Sequence, residues 1–110
     1  MKVAVVGSRN LFVNDLQNYL PKETTEIVSG GAKGIDTCAR EYAIKNNISL
    51  KEFKPEYSKF GRVAPLKRNL QIINYADIVL IFWDGQSRGS KYVIEECKKL
   101  NKEHIVYSPI

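Results

Sequence analysis

The chain has one histidine, His104, and two cysteines, Cys38 and Cys97. One imidazole is too few for most zinc sites and for any paired-histidine motif, so no metal is expected. Two thiols do not make a disulfide framework. Both fall on the apolar faces of expected helices and read as buried free thiols. Long apolar runs are also missing. The longest, Ile78 to Trp83, is far too short to cross a bilayer. The apolar run after Met1 is too short for a signal-peptide core, and no small-residue cleavage site follows it. The expectation is a soluble, cytoplasmic protein with no membrane partner. Low-complexity tracts are absent, and with four prolines and seven glycines the chain is neither fibrous nor a linker. No Ser-His-Asp arrangement is available.

What is present is ordinary globular material: 110 residues, 44% hydrophobic and 26% charged. That suffices for one domain over residues 1–110 with a genuine core. The formal net charge is +5. The excess gathers between Lys51 and Arg68, where Lys54, Lys59, Arg62 and Lys67 also lie, against only Glu52 and Glu56. Such a segment is either a solvated surface or an attractor for phosphate or nucleic acid.

Strand and helix signals alternate from end to end. Lys2 to Val6 is a β-branched run closed by Gly7. Phe12, Leu16, Tyr19 and Leu20 have helical spacing, and Pro21 ends that helix. Thr24 to Val28 reads as the second strand. Ile35, Cys38, Ala39, Tyr42 and Ala43 mark the clearest amphipathic helix, and Ile48 to Phe53 reads as the third strand. Lys54 to Ala64 is expected to be a loop. Pro65 suits a first helical turn, with Leu66, Leu70 and Ile73 as its apolar stripe. Ile78 to Trp83 reads as a central strand buried on both faces. Val93, Ile94, Cys97 and Leu100 mark the last helix, and His104 to Tyr107 the last strand. The pattern predicts an α/β fold: a single three-layer Rossmann-like domain with a five-stranded parallel sheet and helices on both faces. Ligands bind such sheets at the carboxyl ends of the strands, and three loops there carry unusual residues.

After the first strand, Gly7 permits close approach of a ligand, Ser8 offers a hydroxyl and Arg9 a fork of donors. Ser29-Gly30-Gly31-Ala32-Lys33-Gly34-Ile35-Asp36 joins a strand to a helix, with three glycines that free backbone amides for an anion. It is neither a Walker loop nor a Gly-x-Gly-x-x-Gly fingerprint. Asp36 is alternatively a helix cap, and the glycines alternatively serve packing. Trp83-Asp84-Gly85-Gln86-Ser87-Arg88-Gly89-Ser90 is a second glycine-bearing loop before a helix. Asp84 suits a ribose hydroxyl there, while Trp83 suits either base stacking or the core. Arg68 and Asn69, taken alone, read as an exposed polar face of the third helix. Glu95 and Glu96 read as solvated charges unless the last helix turns them toward the cleft.

Val3-Ala4-Val5-Val6-Gly7-Ser8-Arg9, Ile27 to Asp36, Lys67-Arg68-Asn69 and Trp83 to Ser90 occur in an order that resembles the SLOG superfamily. That group joins the DNA-processing Smf/DprA proteins to the LOG phosphoribohydrolases. The likeness is nearest to its small stand-alone YspA-like branch. The resemblance implies a nucleotide or nucleotide-derived ligand over the glycine loops, with no cofactor required. By position it implicates Gly7, Ser8, Arg9, Gly30, Gly31, Gly34, Asp36, Arg68, Asn69, Gly85, Ser87, Gly89 and Ser90. Ser29, Ala32, Lys33, Trp83, Asp84 and Arg88 complete the expected ligand-binding set. In the hydrolase branch an arginine of the third helix and a glutamate after a Pro-Gly-Gly-x-Gly-Thr loop cleave an N-glycosidic bond. Arg68 matches the arginine, but Trp83-Asp84-Gly85 replaces Pro-Gly-Gly. The carboxylate would come from Asp84, Glu95 or Glu96. The DNA-processing branch implies single-stranded nucleic acid as an alternative partner, with Tyr57 and Phe60 interleaved in the basic segment as stacking platforms. A homo-oligomer is expected, because a domain this small offers a shallow cleft.

Overall fold

The computed structural model describes residues 1–108. Five strands, β1 (Lys2–Gly7), β2 (Glu26–Ser29), β3 (Ser49–Glu52), β4 (Ile78–Phe82) and β5 (His104–Tyr107), form one sheet in the order β3-β2-β1-β4-β5. Every neighbouring pair is parallel. Helices α1 (Ile35–Lys45), α3 (Ala64–Tyr75) and α4 (Arg88–Lys99), with the short α2 (Tyr57–Phe60), lie between strands. The expected α/β class, parallel sheet and Rossmann-like layering are all present.

Strand alternation splits the core into two layers. Val3, Val5, Leu80 and Phe82 pack with Ile35, Ala39 and Ala43 of α1. Ala4, Val6, Val79 and Ile81 pack with Ile72 and Ile73 of α3 and with Val93, Ile94 and Cys97 of α4. β4 is buried along its whole length, as a central parallel strand must be. Burial also pushes the Cys97 thiol up to about 11, so it is a packing residue rather than a nucleophile. Cys38 is only half-buried, and its Sγ accepts the Val13 N–H at 3.4 Å.

The segment between β1 and β2 corrects the sequence reading. In place of a helix over Phe12 to Leu20 there is one 3₁₀ turn, Leu16–Asn18. Val13 and Leu16 are buried without it, whereas Phe12 is 69% exposed. Tyr19 meets Phe82 and Tyr107 edge-on, with ring centroids 5.1 and 4.8 Å apart. The apolar residues thus reach the sheet individually, and Asn14, Asp15 and Asn18 favour turn over helix. The expected loop after β3 holds α2 and a 3₁₀ turn, Gly61–Val63. In α3 the expected stripe is rotated. Ala64, Arg68, Ile72 and Ile73 face inward, and Leu66 is 38% exposed. The helix turns an arginine inward because carbonyl acceptors wait for it there.

Close packing at the sheet's carboxyl edge depends on glycine. Gly34 has φ +73°, and a Cβ on it would strike the carbonyls of Ser8 and Arg9. Gly89 lies in the first turn of α4 without a positive φ, and a Cβ on it would meet nothing within 4 Å. Gly34→Ala is expected to destabilise the fold by more than about 1 kcal/mol. Gly89→Ala is expected to be neutral or to stabilise by up to about 1 kcal/mol. Thermal denaturation of the pair checks this, and a Gly34→Ala protein melting like the parent contradicts it.

Candidate functional site

At the carboxyl ends of β1 and β4, where the chain order reverses, an open cleft of about 380 Å³ is bounded by four segments. Gly7, Ser8, Arg9 and Asn10 come from the loop after β1. Gly30, Ala32 and Asp36 come from the loop after β2 and the first turn of α1. Pro65, Leu66, Arg68 and Asn69 come from α3, and Ser87, Gly89 and Ser90 from the start of α4. Val6, Ile72 and Val93 add an apolar lining.

Ser8 joins two of these segments. Its N–H donates to the Phe82 carbonyl at 2.9 Å. Its Oγ lies 2.8 Å from Ser87 Oγ and accepts the Asp84 N–H at 3.1 Å. Asp84 in turn accepts the Ser87 and Gln86 N–H groups on Oδ1, at 2.8 and 2.9 Å. Those amides, Ser87 first, hold its carboxyl below the usual carboxylate range. Asp84 is therefore spent on shaping its loop. Because Ser87 Oγ is turned to Ser8, no side chain caps α4. The first backbone bond within this helix runs from the Lys91 N–H to the Ser87 carbonyl. The amides of Arg88, Gly89 and Ser90 are left at a helix N-terminus on the cleft wall, where partial positive charge collects.

The opposite end has a different polarity. Asp36 is 6% exposed. Its Oδ2 accepts the Ala32 N–H at 3.1 Å. Its Oδ1 is buried and has no donor among the described residues. Burial pushes this carboxyl above the ordinary range, against the opposing pull of the Ala32 amide and of Arg68. Arg68 is a strut. Its Nη1 donates to the Gly30 carbonyl at 2.7 Å and the Phe53 carbonyl at 3.4 Å, and its Nε to Asn69 Oδ1 at 2.8 Å. It thus ties α3 to the ends of β2 and β3. Burial lowers its pKa, with Asp36 acting in the opposite sense. Gly30 makes room for both: a Cβ there would come within 2.5 Å of Arg68 Nη1 and 3.0 Å of Asp36 Oδ2.

Of the residues expected from sequence, Gly7, Ser8, Arg9, Gly30, Ala32, Asp36, Arg68, Asn69, Ser87, Gly89 and Ser90 converge on the cleft. Ser29, Gly31, Lys33, Gly34, Trp83, Asp84, Gly85 and Arg88 do not line it. Gly31 and Gly85 instead supply loop curvature with φ +71° and +85°. Trp83 packs against the α3–α4 layer and donates its indole N–H to the Ser87 carbonyl at 3.0 Å. Glu95 is exposed, and Glu96 lies beside Tyr92, whose phenol is raised by burial and by that carboxylate. Neither glutamate lines the cleft. Arg68, expected to be exposed, is buried. Asn10 and the apolar lining were missed, although Ile72 and Val93 follow Arg68 and Ser90 at four and three residues, the spacing that shares a helix face. Among the described residues no cluster of metal-ligating side chains occurs, and no helix is long and apolar enough to cross a membrane.

A folded-state pKa raised above the unfolded value means that Asp36 favours folding when protonated, and that this contribution is lost as pH rises through the folded value. Asp36→Asn, which keeps an oxygen for the Ala32 amide, is therefore expected to raise the melting temperature at pH 7, with the gain shrinking as pH falls through the raised folded value and gone below the unfolded value of about 4. Melting curves across pH check this; a loss of stability at pH 7 contradicts it.

A model of the family described as DNA recombination-mediator protein A matches residues 1–53. That span runs from β1 through the Ser29–Asp36 loop and α1 to the end of β3. Searches of curated proteins and of solved structures return no match. The amino-terminal part of the chain, with two of the cleft's loops, is thus similar to the DprA-like proteins.

Proposed function

We propose that the cleft binds a nucleotide or nucleotide-derived small molecule, as a sensor or a processing module. The observation that carries this reading is the uncapped first turn of α4, held on the cleft wall by the Ser8–Ser87 and Asp84 bonds. Oriented amides with partial positive charge suit a phosphate. Arg9 and Ser8 flank the same cleft. The Ser29–Asp36 loop suits an anion less well, because Asp36 places its own carboxylate there. Binding is favoured over N-glycosidic cleavage by the position of the glutamates outside the cleft.

A second reading, single-stranded nucleic acid, draws on two observations. One is the similarity of residues 1–53 to a family described as DNA recombination mediators. The other is the surface beyond α3's first turn, where Tyr57 is 60% exposed among Lys54, Lys59 and Arg62. Not all of that segment is free for a base: Lys59 Nζ lies over the Phe60 ring at 5.2 Å, and Lys51 Nζ over Phe53 at 5.2 Å.

The test is thermal stability with AMP, GMP, CMP, ADP-ribose and a short single-stranded oligonucleotide. A mononucleotide at about 100 times its Kd stabilises the native state by about 2.7 kcal/mol. Gly89→Asp is expected to leave the unliganded melting temperature unchanged or higher, since an acid suits a helix N-terminus, and to abolish the mononucleotide shift. A shift with the oligonucleotide alone, weakening steeply with salt, favours the second reading. No shift with any of them sinks both.

A further inference from the structure

The two edges of the sheet are built differently. β3 closes one side with Ser49, Lys51 and Glu52 among its four residues. Glu52 is held there by Arg40 of α1, whose Nε donates to Oε2 at 2.9 Å and Nη2 to Oε1 at 3.0 Å. Charged side chains are a usual protection of an edge strand against pairing with another chain. β5, His104-Ile105-Val106-Tyr107, has no lysine, carboxylate or proline. Ile105 and Val106 are both exposed, although neighbours in a strand point to opposite faces. The backbone of β5 shows which polar groups are free. The Val79 N–H donates to the Glu103 carbonyl at 3.0 Å, and the Trp83 N–H to the Tyr107 carbonyl at 2.8 Å. Alternate residues of a parallel ladder turn their polar groups to the same side. Glu103, Ile105 and Tyr107 therefore face β4, while His104, Val106 and Ser108 turn their N–H and C=O groups outward. Among the described residues these outward groups have no backbone partner, because β5 is the last strand of the sheet.

Two copies of this strand match each other. An antiparallel pair with its two-fold axis at Val106 sets Val106 opposite its own copy and His104 opposite the second copy's Ser108. The outward groups of all three residues then exchange hydrogen bonds. The same register sets Ile105 beside the second copy's Tyr107. Tyr107 stacks on Phe82 and meets Tyr19 edge-on within each chain, and an aromatic beside a β-branched residue is a favourable cross-strand pair. Lysine, arginine, aspartate and glutamate are all absent from residues 104–108. Chains that each carry +5 therefore meet without like charges opposite one another, and an acidic or basic foreign strand finds no charge here to select it. We infer that β5 is the docking surface for a second copy of this chain, the two sheets joining edge to edge about a two-fold axis. An axis normal to the sheet reverses strand direction from one chain to the other. The two clefts then open at opposite ends of the dimer, and each is complete within one chain. The inference does not depend on what the cleft binds.

The experiment is sedimentation equilibrium of the wild type from micromolar to millimolar chain, beside Val106→Lys, Val106→Pro and Ile44→Lys. The wild type is expected to be a reversible dimer, since a short strand pair buries less surface than a permanent interface. Val106→Lys puts two like charges at the axis. Val106→Pro removes an N–H that the single chain leaves unpaired, and proline is tolerated at such an edge position. Each is expected to weaken dimerisation by about 10-fold or more while keeping a cooperative melting transition. Ile44→Lys, at an exposed apolar residue of α1, is expected to dimerise like the wild type. A wild type that is monomeric at every concentration overturns the inference, as does an open series of larger species. A dimer that survives both Val106 variants, or that Ile44→Lys alone disrupts, also overturns it. The wild type and the remaining variant decide the matter even if one variant fails to fold.

Discussion

Everything at the cleft edge of the sheet depends on how closely β1 and β4 run at their carboxyl ends. Gly7 sits opposite Phe82 in the parallel register. A Cβ on Gly7 would collide with the Phe82 carbonyl and lie 2.7 Å from Ile35 Cγ1. That absence of a side chain lets the next residue, Ser8, reach both the Phe82 carbonyl and the loop after β4. The hydroxyl of Ser8 then fixes Asp84 and Ser87, and those two decide where α4 begins. A larger residue at position 7 would push the strands apart and separate the two walls of the cleft, so the site is a direct consequence of backbone packing in the sheet.

The second half of the site is organised by exchange of partners rather than by pairing of charges. Arg68 and Asp36 both flank Gly30, but the guanidinium is bound to carbonyls and the carboxylate to an amide. Arg68 thereby ties α3 to the ends of β2 and β3, which the sheet already pairs with each other. A buried arginine on neutral acceptors is strongly held in place, because removing any of those acceptors leaves a charged donor desolvated. The cleft carries the backbone amides of the α4 start on one wall and, from α1 and α3, the Asp36 carboxyl beside the Arg68 guanidinium.

Much of this was legible in the sequence. The alternation of β-branched runs with amphipathic stretches specified the parallel sheet, and the rule for strand ends specified the loops that matter. The apolar spacing of Phe12, Leu16, Tyr19 and Leu20 misled, because residues that bury one at a time against a sheet edge and aromatic cluster mimic a helical stripe. Arg68 misled in the opposite direction: an arginine between Lys67 and Asn69 reads as surface, and only the fold brings the Gly30 and Phe53 carbonyls to it. Asp84 and Trp83 looked like ligand groups since they close a central strand, yet Asp84 Oδ1 and the Trp83 indole N–H are engaged by their own loop. The glycines separated into two kinds that sequence does not distinguish. Gly7, Gly30 and Gly34 permit close packing, and Gly31 and Gly85 permit curvature.

The central claim is that one cleft, at the carboxyl ends of β1 and β4, receives a nucleotide. Its most direct measurement is titration of the ¹⁵N-labelled protein with AMP or whichever mononucleotide stabilises it most, followed by amide chemical shifts. The account predicts saturable shifts confined to Ser8–Asn10, Gly30–Asp36 and Ser87–Ser90, with the outer face of α1 around Tyr42 and Lys45 unmoved. Shifts centred on that outer face or on the β5 edge, or none with any mononucleotide, would contradict it.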